Sequence, residues 1–203
     1  MNSQGSMSNG QRLHLCDFDG TLTKGDSFVG FLLFAVPLHR LLWGGFVLIF
    51  KFLSLVFLGK WTNEVGKAAV LSEFFKGKTI REMEALGANF HQQKIPAMLR
   101  TPLLESLRQA VQKGETVVIV SASPDVWLRP ICIQEGFELV CTKLEFRSDR
   151  FTGKFATPNC NYEEKARRIR ELYELNAYGK IIAYGNSKGD AAMFALADEI
   201  FRF

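Results

Sequence analysis

Paired cysteines and a strong net charge are both missing from this chain. Its 203 residues include four cysteines that stand far apart and form no CxxC pair, namely Cys16, Cys132, Cys141 and Cys160. This spacing argues against a zinc site and a disulfide framework, and it suits a reducing compartment. The net charge is only +4, which is too weak by itself to indicate a nucleic-acid partner. We therefore expect no nucleic acid among the ligands.

The chain also lacks an apolar run that is both long and free of charge. Residues 28–58 are the most apolar region, but Pro37 divides them and Lys51 lies near the middle of the second part. A membrane-spanning helix needs about 20 apolar residues, and the part before Pro37 is too short. An interfacial helical hairpin, a re-entrant hairpin and a buried helical core all fit this pattern.

Two aspartates stand where the first apolar run ends. Residues 13–16 have the character of a short buried strand, and Asp17 and Asp19 follow it, with Gly20-Thr21 where the chain must turn. Two carboxylates at the end of a buried strand are costly unless a cation or hydrogen bonds compensate them. The pair indicates either a simple turn or a divalent metal site with a carboxylate nucleophile.

The order of the segments predicts the fold. Residues 1–11 are polar, and we expect a disordered tail there, not a signal peptide. The next strand pattern begins only at residue 115, whereas a βαβ unit takes about 30 residues, so residues 24–100, whose signals are helical, are an insertion. Beyond it, strands and helices alternate, as in a parallel sheet covered on both faces. We predict an α/β fold: a doubly wound, mostly parallel sheet from residues 12–23 and 101–203, with an inserted all-helical cap.

Polar groups follow two other predicted strands. In such sheets the site lies beyond the carboxyl ends of the strands. Ser121 ends one strand, and a helix is expected to begin near Pro124, which suits anion binding by a hydroxyl and free N–H groups. An ordinary N-cap serine has the same pattern. Residues 185–190 form a polar turn after the strand at 180–184, and a plain Asn-Ser turn is the alternative there.

One lysine stands near the start of a charged helix predicted over residues 161–175. Lys165 is either a solvated charge of that helix or a group aimed at an anion. Arg167 and Arg168 are expected on the surface.

Taken in chain order, these groups resemble the four motifs of the haloacid dehalogenase-like (HAD) phosphatases. Asp17-Phe18-Asp19-Gly20-Thr21 matches the DxDGT signature of motif one, Ser121 matches motif two and Lys165 matches motif three. Residues 185–190 resemble motif four, GDxxxD, with Asn186 in place of the first acid. The helical insertion between motifs one and two is similar to that of the phosphoserine phosphatase subfamily. Its bacterial relatives of the phosphatidylglycerophosphatase C type are more similar still.

The resemblance implies catalytic and phosphate-binding roles. Asp17 would be the nucleophile and form an aspartyl-phosphate. Asp19 would protonate the leaving alkoxide and then activate water. Ser121, the Ala122 N–H and Lys165 would bind the phosphoryl oxygens, which need positioning and charge neutralisation above all.

The resemblance also implies Mg²⁺ as the cofactor. Asp17, the Asp19 backbone carbonyl and Asn186 would hold the metal, and Asp190 would complete the metal site by ordering metal-bound water. An amide brings less charge than a carboxylate, so Asn186 predicts weaker metal binding. Asp26 is a candidate for substrate specificity, with capping of the first cap helix as the alternative.

The implied function is hydrolysis of a phosphomonoester through an aspartyl-phosphate. We expect a lipid or amphipathic phosphate, because the apolar cap exceeds what a small insertion can hide. A single membrane crossing would separate Asp17 from Ser121, so we expect peripheral contact through residues 28–58, from the cytoplasm, on the inner face of the membrane. Aromatic and basic residues suit that contact: Trp43, Trp61, Lys51, Lys60, Lys67, Lys76 and Lys78. A phosphoserine phosphatase-like enzyme on a small soluble phosphomonoester and a catalytically weak interaction protein are the alternatives, and the oligomeric state stays open.

Overall fold

Five parallel strands form the central sheet. The computed structural model describes residues 10–59 and 62–203, and the sheet order is β3-β2-β1-β6-β7. Every neighbouring pair in this sheet is parallel, so all the carboxyl ends share one edge, with β1 in the middle. Two more strands, β4 and β5, form an antiparallel hairpin. The strands are β1 Arg12–Cys16, β2 Thr116–Pro124, β3 Glu138–Thr142, β4 Leu144–Arg147, β5 Arg150–Phe155, β6 Lys180–Gly185 and β7 Glu199–Arg202.

Side chains alternate along each strand, so both faces of the sheet carry apolar residues, and helices cover both faces. Leu13 and Leu15 of β1 belong to a buried cluster with residues of α8 and α9. Cys16, on the opposite face, belongs to a second cluster with α6 and α7. The helices are α1 Ser27–Ala35, α2 Leu38–Phe57, α3 Asn63–Phe75, α4 Ile80–Gln93, α5 Ile95–Met98, α6 Thr101–Gln112, α7 Asp125–Glu135, α8 Glu163–Leu172 and α9 Ala191–Phe194. The predicted doubly wound α/β fold is confirmed.

The helical insertion leaves and rejoins the sheet region at one place. Thr23 and Leu99 form an isolated antiparallel bridge. On either side of it, the Lys24 N–H donates to Met98 O and the Arg100 N–H donates to Leu22 O, both at 2.8 Å. The predicted boundaries at residues 24 and 100 fall beside this pairing, and the division into core and cap stays a prediction.

Aromatic packing holds the insertion against α7. The Phe31 ring of α1 stacks on Trp127 with 4.4 Å between ring centroids. Gly87 of α4 lies so close to α7 that a Cβ atom there would be 2.1 Å from the Val126 carbonyl oxygen. Phe28 and Phe31 are buried, so they are not available for the contact expected through residues 28–58.

Three predicted elements differ from the structure. Strand β2 continues past Ser121, because a bulge restores its pairing where Pro124 lies opposite Thr142. Helix α8 is shorter than residues 161–175, since Tyr162 before it has φ of +51° and the chain is extended again after Leu172. The sequence pattern also predicts one helix over residues 188–197, and this is wrong because one 3-10 turn precedes the short α9.

Arg168 is buried, and its prediction as a surface residue was wrong. Its guanidinium donates to the Cys141 and Pro158 carbonyls and forms an ion pair with Glu164. These acceptors compensate its charge. The expectations for residues 1–9, Lys60 and Trp61 lie outside the described residues.

Candidate active site

Asp17 lies at the middle of the sheet's carboxyl edge. Its N–H donates to Tyr184 O at 2.9 Å, which fixes the aspartate between β1 and β6. The residue is 7% exposed. Oδ2 accepts a hydrogen bond from the Thr21 hydroxyl at 3.0 Å, and Oδ1 accepts one from Lys165 Nζ at 2.6 Å.

Lys165 joins two carboxylates. Its Nζ lies 2.6 Å from Asp17 Oδ1 and 2.6 Å from Asp190 Oδ1, and the residue is 2% exposed. Burial alone would lower the pKa of Lys165, but the two carboxylates hold it above its usual range. The side chain is therefore a buried ammonium, and the interpretation of Lys165 as a solvated charge was wrong.

The two carboxylates have different environments. Burial raises the pKa of Asp17 to about 6, with Lys165 opposing this rise and Asp190 adding to it. For Asp190, burial would raise the pKa, but Lys165 and donors from Ser187 hold it below its usual value. Asp190 Oδ2 accepts from the Asn186 N–H, the Ser187 N–H and the Ser187 hydroxyl at 2.9 to 3.1 Å. Because its oxygens are already engaged, we expect Asp190 to act on a metal only through ordered water.

Asp19 is held by groups from both the sheet and the insertion. Oδ1 accepts from the Ser27 N–H at 2.6 Å, at the start of α1. Oδ2 accepts from the Ser123 hydroxyl at 2.6 Å, whereas the Ser121 hydroxyl is 3.5 Å away. The Ser27 hydroxyl in turn accepts from Trp127 Nε1 at 2.9 Å. The predicted acid–base residue is thus connected to the packing between α1 and α7.

Ser121, one of the predicted phosphate-binding residues, lies beside Asp19, and Ala122 follows it in the chain. The Ser121 hydroxyl is buried and accepts from the Ser123 N–H at 3.0 Å. The Ala122 carbonyl accepts from the Thr142 hydroxyl at 2.9 Å, which fixes the peptide between Ala122 and Ser123. The structure thus collects Asp17, Lys165 and Asp190 in one contact group and Asp19 and the motif-two serine in another.

Ser123 is a site residue that the sequence reasoning missed. It is fully buried and makes the short hydrogen bond to Asp19. The signal was present, because residues two apart in an extended strand share a face, and Ser123 follows Ser121 by two positions.

Ser123→Ala is expected to lower kcat with little change in KM. The loss removes a donor that orients Asp19, and we expect about a tenfold decrease in kcat and about 1 kcal/mol of lost unfolding free energy. Ser54→Ala, which removes a hydroxyl from the exposed α2, is the control and should change neither. A Ser123→Ala enzyme with lower stability but unchanged kcat would show that the hydroxyl only supports packing.

The oxygen donors of the site are of the kind that binds Mg²⁺, and together they carry little negative charge. Magnesium is commonly held by one or two carboxylates and retains several waters. In the described ranges 10–59 and 62–203, no three His, Cys, Asp or Glu side chains form a metal-binding group. Asp17 would supply the carboxylate, and the Asp19 carbonyl and Asn186 amide oxygen would supply neutral donors. The donor chemistry is therefore suitable but contains little negative charge.

Asn186→Asp is expected to tighten Mg²⁺ binding by about tenfold, since it adds a negative charge to the donor set. The Asn186 side chain packs against Gly20, because a Cβ atom added to Gly20 would lie only 2.0 Å from the Asn186 amide nitrogen. Calorimetric titration of the folded protein with Mg²⁺ measures the change. Unchanged or weaker binding would contradict the assignment of Asn186 as a ligand.

Asp26 caps α1 and is exposed. Its Oδ1 accepts from the Phe28 and Val29 N–H groups at 2.8 and 3.2 Å. The proposed role in substrate choice is separate from this cap, and two substitutions distinguish the roles. Asp26→Asn preserves a capping side chain and removes the charge, whereas Asp26→Ala removes both.

From the cap alone, we expect Asp26→Ala to cost about 1 kcal/mol of stability and Asp26→Asn to cost little. Relative rates on phosphoserine and on a phosphomonoester without an amine measure substrate choice. If Asp26→Asn changes their ratio, the carboxylate contacts the substrate.

The fold and site together define a class of enzyme. An aspartate pair at the end of the central strand, with a buried lysine and a second acid group, occupies the carboxyl edge of a doubly wound sheet. The family model of the haloacid dehalogenase-like hydrolases matches residues 15–195, and the chain belongs to this family.

Individual proteins are similar to this chain over most of its length. Protein CicA of Caulobacter vibrioides is 33% identical over 197 residues, which cover 96% of this chain and 87% of CicA. A protein of unknown function from Bordetella pertussis Tohama I has a TM-score of 0.76 at 20% identity, with 94% and 89% of the two chains covered. A substrate-bound phosphoserine phosphatase has a TM-score of 0.62 at 16% identity, with 95% and 86% covered. The predicted family and fold class are confirmed, and with them an enzyme of the hydrolase class.

Proposed function

We propose that the chain is a Mg²⁺-dependent phosphomonoesterase that forms an aspartyl-phosphate on Asp17. The observation that carries this proposal is the ammonium of Lys165, buried between Asp17 and Asp190 at 2.6 Å from each. An anionic nucleophile and an anionic phosphate repel each other, so a fixed cation beside the nucleophile is needed. When bound, Mg²⁺ would neutralise further charge on the phosphoryl oxygens.

In the first step, Asp17 Oδ2 attacks phosphorus and the bond from phosphorus to the ester oxygen breaks. Lys165 holds the other oxygen, Oδ1, and so orients the carboxylate. Asp19 gives a proton to the leaving alkoxide. The hydrogen bonds from Ser27 and Ser123 strengthen as Asp19 delivers that proton, since both donors favour a carboxylate.

In the second step, Asp19 takes a proton from water, and the resulting hydroxide oxygen bonds to phosphorus. The bond between phosphorus and Asp17 breaks, which releases inorganic phosphate and restores both aspartates. The Ser121 hydroxyl and the Ala122 N–H are proposed to hold the phosphoryl oxygens throughout, with the next peptide, between Ala122 and Ser123, fixed by Thr142.

The substrate proposed is a phosphate on a lipid or other amphipathic molecule, bound from the cytoplasmic face of the membrane through residues 28–58. Two features support it. Helix α2 exposes large apolar side chains, and a cavity of about 610 Å³ is lined by Met83, Val126, Ile133, Leu144 and other residues. This cavity includes none of the predicted site residues, but α7, which lines it, begins directly after the segment that holds Ser123.

Two other functions have their own support. Hydrolysis of a small soluble phosphomonoester is suggested by the fold shared with a phosphoserine phosphatase. A catalytically weak interaction protein is suggested by Asn186, which lowers the charge available to the metal.

Turnover of lysophosphatidate and phosphatidylglycerophosphate, compared with phosphoserine, tests the substrate. We expect Mg²⁺-dependent phosphate release from the lipids, with higher kcat/KM than for phosphoserine. Rapid phosphoserine hydrolysis with no lipid turnover would assign the soluble substrate. No release from any of them, with Mg²⁺ present, would favour the interaction protein.

A further inference from the structure

Helix α2 exposes a continuous apolar surface. By length and composition, α2 is the one helix in the described part of the chain that is long and apolar enough to cross a membrane, and only 6% of its apolar window is buried. We define its outer face by exposed apolar residues that project about 100° or more from Gly44: Leu42, Trp43, Phe46, Ile49, Phe50, Leu53 and Phe57. Trp43 and Ile49, at the edges of this face, also line hollows shared with α3. Trp43, Phe50 and Phe57 are 70%, 61% and 92% exposed. Exposed apolar patches of this kind mark interaction sites.

The aromatic side chains of the outer face contact one another. The Trp43 and Phe46 rings have centroids 6.3 Å apart, and Phe46 and Phe50 have centroids 5.1 Å apart. Their spacing of three and four residues follows one side of the helix. The face is therefore one surface, not scattered exposed residues.

The opposite side of α2 is occupied by α3. Gly44 is buried, and a Cβ atom there would be 2.4 Å from the Phe74 ring. Helix α3 has 13 residues, which span about 20 Å and cannot cross a bilayer core of about 30 Å. It also carries Glu64, Lys67 and Glu73. A crossing by α2 would strip it from α3, so the geometry favours a helix that lies along the membrane surface.

Charge along α2 indicates which partner fits. Leu38–Phe57 contains no Asp or Glu, and its two basic residues, Arg40 and Lys51, are exposed. At 100° per residue they project about 20° apart, on the polar side of the helix near Gly44 and beyond the edge of the outer face. Long basic side chains beside an apolar helix face reach toward anionic headgroups while the face enters the acyl boundary. A second copy of α2 would offer no acidic partner for these cations.

We propose that the outer face of α2 is a membrane-docking surface that lies flat in the interface of a bilayer containing anionic lipid. The proposal deepens the proposed function, because docking would bring the site to a lipid phosphate. It selects the interfacial hairpin among the three arrangements compatible with the sequence. Docking itself does not require turnover, so the two are tested separately.

Flotation of the full chain with vesicles tests the docking. The probes are phosphatidylcholine vesicles with and without phosphatidylglycerol. We expect binding that is stronger with phosphatidylglycerol. Phe46→Glu combined with Phe50→Glu should reduce the partition coefficient at least about tenfold, because it places charge in the apolar boundary. The matched control is Leu172→Glu, at a 64% exposed position on α8, and it should bind as wild type does.

A second variant tests whether the two basic residues of α2 contact anionic lipid. Arg40→Gln with Lys51→Gln should lower binding to the anionic vesicles by about fivefold for each charge and leave binding to the neutral vesicles unchanged. An unchanged ratio between the two vesicle types would overturn the role of anionic lipid.

Sedimentation without vesicles and hydrolysis of p-nitrophenyl phosphate complete the test. Absence of flotation would overturn docking. A dimer that the Phe46 and Phe50 substitutions dissociate, while no vesicle binds, would in addition assign the face to a second copy. Variants that lose flotation but hydrolyse the soluble ester at the wild-type rate support docking. Flotation of a wild-type chain that lacks hydrolysis supports docking and contradicts the proposed function alone.

Discussion

Asp17→Asn is expected to abolish phosphate release while the protein stays folded. The amide cannot attack phosphorus as a carboxylate does, and loss of a nucleophile typically costs about a thousandfold or more in kcat. Release of inorganic phosphate from p-nitrophenyl phosphate, with Mg²⁺ present, measures the effect. The control Asp149→Asn makes the same chemical change in the exposed hairpin turn and should retain full activity.

The stability of Asp17→Asn distinguishes lost chemistry from lost structure. Asn has the shape of Asp: its one oxygen can accept from Lys165 while its NH2 donates to the Thr21 hydroxyl oxygen, and Lys165 keeps Asp190 as a charged partner. Burial already disfavours the charged form of Asp17, whose pKa is raised to about 6. We therefore expect the unfolding free energy to change by no more than about 1 kcal/mol. Wild-type turnover by this variant would refute Asp17 as the nucleophile.

Lys165→Met is expected to damage both stability and activity. It leaves the buried carboxylates of Asp17 and Asp190 facing each other without the ammonium. Removing one partner from a buried ion pair typically costs about 3–5 kcal/mol. Denaturant unfolding at neutral pH measures this loss. Lys180→Met, which breaks an ion pair with Glu199 in which both side chains are about 40% exposed, is the control and should cost no more than about 1 kcal/mol.

The pH dependence of Lys165→Met follows from the same charges. Without the ammonium, burial and mutual repulsion raise the carboxylate pKa values above those of the unfolded chain. Groups of this kind bind more protons in the folded state, so stability increases as pH falls. We expect the variant to regain part of its lost stability in mildly acidic solution. A deficit independent of pH would show that Lys165 matters through packing instead of charge.

The sequence indicated the carboxyl edge of the sheet, where the structure brings Asp17, Lys165 and Asp190 together. Asp17, Ser121 and Asp190 could be placed because polar residues directly follow apolar runs, and parallel strands bring their carboxyl ends to one edge. Ser123 was missed because the predicted strand ended at Ser121, whereas β2 continues to Pro124 and holds Ser123 beside Asp19. Arg168 was misjudged because its acceptors, the Cys141 and Pro158 carbonyls, are distant in sequence or lie in an irregular loop.

The apolar insertion shows a different limit of sequence reasoning. Helix α1 is apolar on every side, so its sequence does not show which side is buried. Trp127, about a hundred residues away, decides this by stacking on Phe31. Helix α2 is also strongly apolar in composition, yet only its Gly44 side meets another helix. Long-range packing alone separates the buried helix from the exposed one.

Acid-quench mass spectrometry during turnover tests the central claim most directly. Trypsin cleavage after Arg12 and Lys24 isolates Asp17 and Asp19 in one peptide. We predict that this peptide gains the mass of one phosphoryl group when the enzyme is quenched with substrate and Mg²⁺. Fragmentation should place the group on Asp17, and the Asp17→Asn protein should show no modification. Phosphate release by the wild-type enzyme with this peptide never modified, together with continued release by Asp17→Asn, would contradict the mechanism.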